Sequence, residues 1–201
     1  MKNIIFDWSG TLSDDVKIGY EATMAVMQQL IGRQTSFEEF KREFTLPYMD
    51  YWYKYAPHAD KKQCDDLFYQ AIQHSAKPLP FNGSNEVLAK LMSAGTQMAV
   101  LSSYLHEKLV QDVADYGFTP YFRLIKGSVH DKRKVIEALV KENGFDPQET
   151  AFVGDMVHDI ETGKTAGIKT VAVTWGVTDK LALAKGNPDY IIDDIFELLK
   201  I

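Results

Sequence analysis

Six short apolar runs recur along this chain, each followed by a polar turn and most by a stretch with helical spacing. They fall at Asn3 to Phe6, Gln97 to Leu101, Phe122 to Ile125, Thr150 to Val153, Thr170 to Val173 and Asp189 to Ile192. Strands buried on both faces need not alternate polar and apolar positions, so such runs separated by helices predict a parallel sheet with crossover helices. The helices are legible too. Ser84 caps one that ends near Ala94-Gly95, a second spans about His106 to Tyr116, and a third runs from about Lys132 to Asn143-Gly144. The pattern predicts an α/β, doubly wound, Rossmann-like core made of residues 1–12 and 83–201.

Residues 13–82 follow another rule. No convincing strand is visible between Leu12 and Phe81, while Val16, Tyr20, Met24, Met27 and Ile31 recur near the helical period. Further helical pieces are expected at about Phe37 to Phe44, Tyr48 to Tyr55 and Asp60 to Ser75. The Pro78-Leu79-Pro80-Phe81-Asn82-Gly83 stretch then disfavours helix and returns the chain to the core. An all-helical insertion is the expectation. Its aromatic cluster, Phe44, Tyr48, Tyr51, Trp52, Tyr53 and Tyr55, suits packing inside a small bundle or stacking on a ligand. Tyr51 through Tyr55 cannot all face one side of a helix, so some ring is expected at the surface.

Charge and cysteine content narrow the setting. With 22 Lys+Arg against 28 Asp+Glu, the chain has no broad basic surface for a nucleic-acid backbone. Cys64 is the only cysteine, which excludes an intrachain disulfide framework and fits a reducing, cytoplasmic compartment. The apolar run before Asp7 is too short for a signal-peptide core, and none approaches the ~20 residues of a membrane span. The expected protein is cytoplasmic, with no membrane or nucleic-acid partner.

Four short motifs fall at the ends of predicted strands, where open α/β sheets bind their ligands. The first is Phe6-Asp7-Trp8-Ser9-Gly10-Thr11-Leu12, which delivers the Asp7 carboxylate into a Gly-Thr turn. An isolated Asp after a strand is most often a cap, but a carboxylate so placed is also a candidate nucleophile that forms an acyl phosphate. The second is Leu101-Ser102-Ser103, with the Ser102 hydroxyl and the Ser103 amide as donors to a phosphoryl oxygen. The third is Lys132, with Lys134 as an alternative, whose ammonium can neutralise phosphate beside Asp7. The fourth is Val153-Gly154-Asp155-Met156-Val157-His158-Asp159, where Asp155 joins Asp7 as a hard oxygen ligand for Mg²⁺ and Asp159 supports it.

In order, spacing and placement these motifs resemble those of the haloacid dehalogenase-like hydrolases, over nearly the whole chain. The resemblance extends to Pro80-Phe81-Asn82-Gly83-Ser84 and Val173-Thr174-Trp175-Gly176. The helical insertion is similar to the cap of the family's phosphoglycolate-phosphatase and phosphonatase-like branch. What this implies is a Mg²⁺-dependent hydrolase of a small phosphorylated metabolite, monomeric or homodimeric, with Asp7 as nucleophile. The resemblance implies Asp7, Asp155, Asp159 and the Ser9 carbonyl as the metal site. It implies Ser102, Lys132 and the amides around Gly10, Thr11 and Ser103 as phosphate-holding groups.

Ser9 departs from the pattern. The resembling phosphatases carry a second Asp there, whose carbonyl binds Mg²⁺ and whose side chain protonates the leaving oxygen and then activates water. Ser9 keeps the carbonyl and loses the acid, removing general acid/base help worth roughly 10²–10⁴-fold. Several readings remain open. One is a phosphatase that takes its proton from substrate, water or another side chain, with His58, His130 and His158 as candidates. A second is a phosphonatase-like enzyme using a cap lysine, Lys41 or Lys54, as a Schiff base. A third is a protein that binds a phosphorylated ligand without turning it over. A dehalogenase needs no metal and would leave the Asp155–Asp159 motif unexplained.

Overall fold

The computed structural model describes residues 1–201. Its elements in chain order are β1 (Asn3–Phe6), β2 (Ser13–Asp14), α1 (Val16–Ile31), α2 (Phe37–Glu43), α3 (Tyr48–Tyr55), α4 (Lys61–Gln73) and β3 (Leu79–Pro80). There follow α5 (Ser84–Ser93), β4 (Gln97–Leu101), α6 (His106–Asp115), β5 (Phe122–Lys126), α7 (Ile136–Glu142) and β6 (Thr150–Gly154). The chain closes with α8 (Val157–Thr165), β7 (Lys169–Val173), α9 (Lys180–Lys185) and β8 (Tyr190–Ile192).

Six of the strands form one parallel sheet in the order β5-β4-β1-β6-β7-β8. The doubly wound prediction is met. Its cause is visible in β1, where every residue is buried and successive side chains enter opposite cores. Ile4 and Phe6 pack with Val87, Leu88, Leu109 and Val113 of α5 and α6. Ile5 faces the other way, onto Ile136, Leu139 and Val140 of α7. Strand order reverses at β1, and Asp7, Ser102 and Asp155 follow directly on the carboxyl ends of β1, β4 and β6.

Helices α1 to α4 enclose a separate core of Met24, Val26, Met27, Phe40, Met49, Tyr51, Trp52 and Cys64. Most of the aromatic cluster belongs to it. Tyr51 and Trp52 are buried, Phe44, Tyr48 and Tyr55 pack against them, and Tyr53 is the ring left at the surface. Two expectations need correction. The insertion is not free of strand, because β2 and β3 pair antiparallel, Ser13 with Pro80 and Asp14 with Leu79, where the chain leaves and re-enters the core. Runs of two residues carry no periodicity to read. Nor does Lys132 open an α-helix: Lys132–Lys134 is a 3-10 turn and α7 starts at Ile136.

The sheet core dominates stability, so truncation there and at the surface should separate cleanly. Leu88→Ala, at a side chain with 0% exposure, should lower the unfolding free energy by about 2–5 kcal/mol. Leu181→Ala, at a residue 78% exposed, should change it by no more than about 0.5 kcal/mol. Urea unfolding followed by circular dichroism reads both.

Candidate active site

The turn after β1 is held by its own backbone. Trp8 carbonyl oxygen accepts from the amides of Thr11, Leu12 and Ser13, and Gly10 N–H donates to the Ser13 carbonyl at 3.0 Å. Gly10 has φ +71°, and a Cβ there would stand 2.5 Å from Asp155 Oδ2, so both conformation and space require glycine. Trp8 is fully buried and stacks on Tyr116 at 5.3 Å between ring centroids, anchoring the turn in the core.

That turn and the one after β6 bring three carboxylates together: Asp7, Asp155 and Asp159 present oxygens all within 4.8 Å of one another. Lys132 reaches them from beyond β5, its Nζ 2.6 Å from Asp7 Oδ2 and 2.8 Å from Asp159 Oδ1, with its side chain at 0% exposure. The remaining oxygens are held by fixed donors. Trp8 N–H donates to Asp7 Oδ1 at 2.6 Å, and Met156 N–H to Asp159 Oδ2 at 3.0 Å. Asp155 accepts from Val177 N–H at 2.7 Å and from Thr11 Oγ1 at 3.3 Å.

Three buried carboxyl groups stand against one ammonium, which would leave two negative charges over if all three ionised. The titration of the groups follows. Burial pushes the Asp155 carboxyl well above its usual range, with Asp159 and Asp7 adding to it. Burial also raises Asp7, against the opposing pull of Lys132. Burial alone would lower Lys132, but Asp159 and Asp7 outweigh it and hold the ammonium charged. A divalent cation beside Asp7 and Asp155 would cancel the excess, and carboxylate oxygens are the donors Mg²⁺ prefers. The donor set therefore fits the metal.

A cavity of about 540 Å³ opens between the strand ends and the helical insertion. Asp7, Ser9, Ser103 and Asp155 line it from the core; Tyr48, Trp52, Phe68 and Lys61 line it from the insertion. Among the residues expected to hold phosphate, Gly10, Thr11, Ser102 and Lys132 stand behind this wall. The Gly10 and Thr11 amides are already engaged within the turn, and Ser102 Oγ accepts from Tyr104 N–H at 3.2 Å. Lys132 touches Asp7 rather than the cavity. Ser9 and Ser103 are among the wall residues whose backbone N–H groups have no acceptor in the chain, which leaves those amides free to bind an anion.

The candidate proton donors fare differently from one another. His58 does not reach the cavity. His158 is buried behind Lys132, and burial, then Lys132 and Arg133, lower it to about 4. His130 lines the cavity beneath Tyr48, but burial, with Lys61 nearby, lowers it as well. Burial thus works against a charged imidazole at both His130 and His158. The cap lysines Lys41 and Lys54 pair with Glu38 and Glu43 away from the cavity. Lys61 lines it instead, and although burial lowers its affinity for a proton, Asp65 and Tyr48 more than offset this and keep it protonated.

Asp15 was not singled out by the sequence. It is 6% exposed and lines the cavity beside Ser9. Its Oδ2 accepts from Ser9 Oγ at 3.0 Å and its Oδ1 from Gly10 N–H at 3.1 Å. Burial raises its carboxyl to about 7, even though the hydrogen bonds from Ser9 and Gly10 act the other way. In the sequence it reads as the polar cap of the first helix of the insertion, and nothing local marks a contact with a turn that precedes it.

Among curated proteins, the chain is 28% identical over 210 residues to "Pyrophosphatase PpaX" of Bacillus velezensis, covering 98% of this chain and 94% of that protein. It is 29% identical over 122 residues to "Phosphoglycolate phosphatase" of Synechococcus elongatus, covering 60% of this chain and 58% of that one. Its fold is shared with a predicted phosphatase from Clostridium acetobutylicum at TM-score 0.88 and 18% identity, over 99% of this chain and 96% of that one. A haloacid dehalogenase-like family protein from Streptococcus pneumoniae matches at TM-score 0.84 and 19% identity, over 100% and 97% of the two chains. The sequence profile described as "Haloacid dehalogenase-like hydrolase" matches residues 4–173, and with the four motifs gathered around Asp7, the chain belongs to that family of hydrolases.

Proposed function

We propose that this protein is a Mg²⁺-dependent phosphomonoesterase acting on a small phosphorylated metabolite, with Asp7 as the nucleophile. The observation that carries the reading is the buried Asp7–Lys132 pair, with Asp7 at the cavity wall and Asp155 and Asp159 clustered beside it. The phosphatase names of two relatives support the same chemistry. Asp7, Asp155 and Asp159 would form the metal site. Bound there, Mg²⁺ supplies positive charge to the phosphoryl oxygens and lets the anionic substrate approach an anionic nucleophile.

The protein's own groups do the rest. Lys132 and the Trp8 amide fix the Asp7 carboxylate, so little reorganisation precedes attack on phosphorus. The free amides of Ser9 and Ser103 are placed to receive phosphoryl oxygens. Attack by Asp7 breaks the ester P–O bond and leaves an acyl phosphate, which water then opens with return of the carboxylate. Residues 13–82 act as the cap over this chemistry, and the paired β2 and β3 strands are its hinge. A phosphonatase-like Schiff base is disfavoured, since it requires a neutral cap amine and the insertion's cavity lysines, Lys61 and Lys77, are ion-paired to Asp65 and Asp115.

Three outcomes test the reading. Asp7→Asn should reduce phosphate-ester hydrolysis to the uncatalysed background while the thermal transition persists; undiminished turnover would eliminate the covalent route. Mg²⁺ at about one hundred times its Kd should stabilise the wild type by about 2.7 kcal/mol, and chelation should abolish turnover. Calorimetry should lose that stabilisation in Asp155→Asn. Lys132→Met leaves the carboxylates without their ammonium and should cost about 3–5 kcal/mol in metal-free buffer, read by denaturant unfolding.

A further inference from the structure

Ser9 offers a hydroxyl to the wall of the cavity two residues beyond Asp7, and a carboxylate stands directly behind it. Asp15 occupies the cap position of α1, where an aspartate ordinarily turns back to bond the free amides of its own helix. It makes no such bond. Its carboxylate instead crosses to the turn after β1, taking the Ser9 hydroxyl on one oxygen at 3.0 Å and the Gly10 amide on the other at 3.1 Å. Both side chains line the cavity that holds Asp7. A cap contact worth about 1 kcal/mol is thus forgone for a contact at the reaction centre.

We propose that Asp15 is the positioning residue through which Ser9 transfers protons: the two side chains form a relay that supplies the acid/base function that a lone hydroxyl at position 9 lacks. The inference rests on the phosphomonoesterase reading above. When water opens the acyl phosphate, its oxygen bonds to phosphorus and the P–O bond to Asp7 breaks, returning the electron pair to the carboxylate. The water proton passes to Ser9 Oγ as the Ser9 proton passes to Asp15 Oδ2, the atom it already faces. In the next turnover the path reverses. Asp15 returns a proton to Ser9 Oγ, and Ser9 gives its own to the leaving oxygen as the ester P–O bond breaks. Over a cycle, water delivers hydroxide to phosphorus and a proton to the departing alcohol, and both side chains end unchanged.

The relay and a purely structural tie between the cap helix and the turn predict different dependence on the leaving group. The full-length wild type, Asp15→Asn, Ser9→Ala, the S9A/D15N double variant and the exchanged S9D/D15S variant are assayed with Mg²⁺ on 4-nitrophenyl phosphate and 2-phenylethyl phosphate. The quantity read is the ratio of kcat/KM for the alkyl ester to that for the nitrophenyl ester. In Asp15→Asn and in Ser9→Ala this ratio should fall by about 10²–10⁴-fold, because only the alkoxide needs the proton. The double variant should fall no further than the single ones, and S9D/D15S should recover the ratio. Equal losses on both esters, or losses that multiply in the double variant, would overturn the relay. Should Asp15→Asn fail to show a thermal transition, Ser9→Ala and the exchanged variant decide the question by the same ratio. A wild type that hydrolyses neither ester removes the phosphomonoesterase reading itself, and the relay with it.

Discussion

The ammonium of Lys132, closed off from solvent between Asp7 and Asp159, is the constraint on which the rest of the site depends. Each partner is brought by a different strand end, so the ion pair ties the turns after β1, β5 and β6 into one unit. A charge so deeply buried is tolerable only with its partners in place. Because two carboxylates already satisfy that single ammonium, Asp155 is left without a cationic side chain bonded to it, and burial with Asp159 and Asp7 raises its carboxyl well above the usual range. The same cluster that makes the site costly to fold offers the hard oxygen donors on which the proposed divalent cation rests.

The cavity divides the motif residues into two groups. Asp7, Ser9, Ser103 and Asp155 face it, while Lys132, Asp159, Gly10, Thr11 and Ser102 hold those residues from behind. Lys132 therefore pairs with the Asp7 carboxylate rather than standing as an open anion receptor in the cavity. Residues behind the wall fix positions to within a hydrogen-bond length, and the proposed attack of Asp7 on phosphorus draws on this preorganisation. The helical insertion contributes another kind of surface, in which aromatic rings such as Tyr48, Trp52 and Phe68 stand beside aliphatic and polar groups, with Lys61 held to Asp65.

Much of this was legible in the sequence because parallel strands buried on both faces write themselves as apolar runs. The six runs, the helices α2 to α4 and the four strand-end motifs all follow from local pattern. The parts that were not legible depend on contacts distant in sequence or too short to have a period. The pairing of Ser13-Asp14 with Leu79-Pro80 spans the whole insertion. Lys132 reads as the opening of a helix, although burial against Asp7 and Asp159 sets it in a 3-10 turn. Asp15 reads as a helix cap, since nothing in its neighbours says that its carboxylate turns back six residues to Ser9. Ser9 announced a missing carboxyl group, but the pattern gave no indication of where another one lay.

The central claim is that Asp7 carries phosphorus during turnover, and chemical trapping of the intermediate tests it most directly. Wild-type protein is mixed with excess phosphate ester and Mg²⁺, quenched with acid in the steady state, reduced with borohydride and mapped by peptide mass spectrometry. The account predicts substrate-dependent reduction at Asp7, giving homoserine at that position and at no other carboxylate, with no adduct on Lys61. Steady turnover with Asp7 unmodified, or reduction appearing at a lysine, would contradict it.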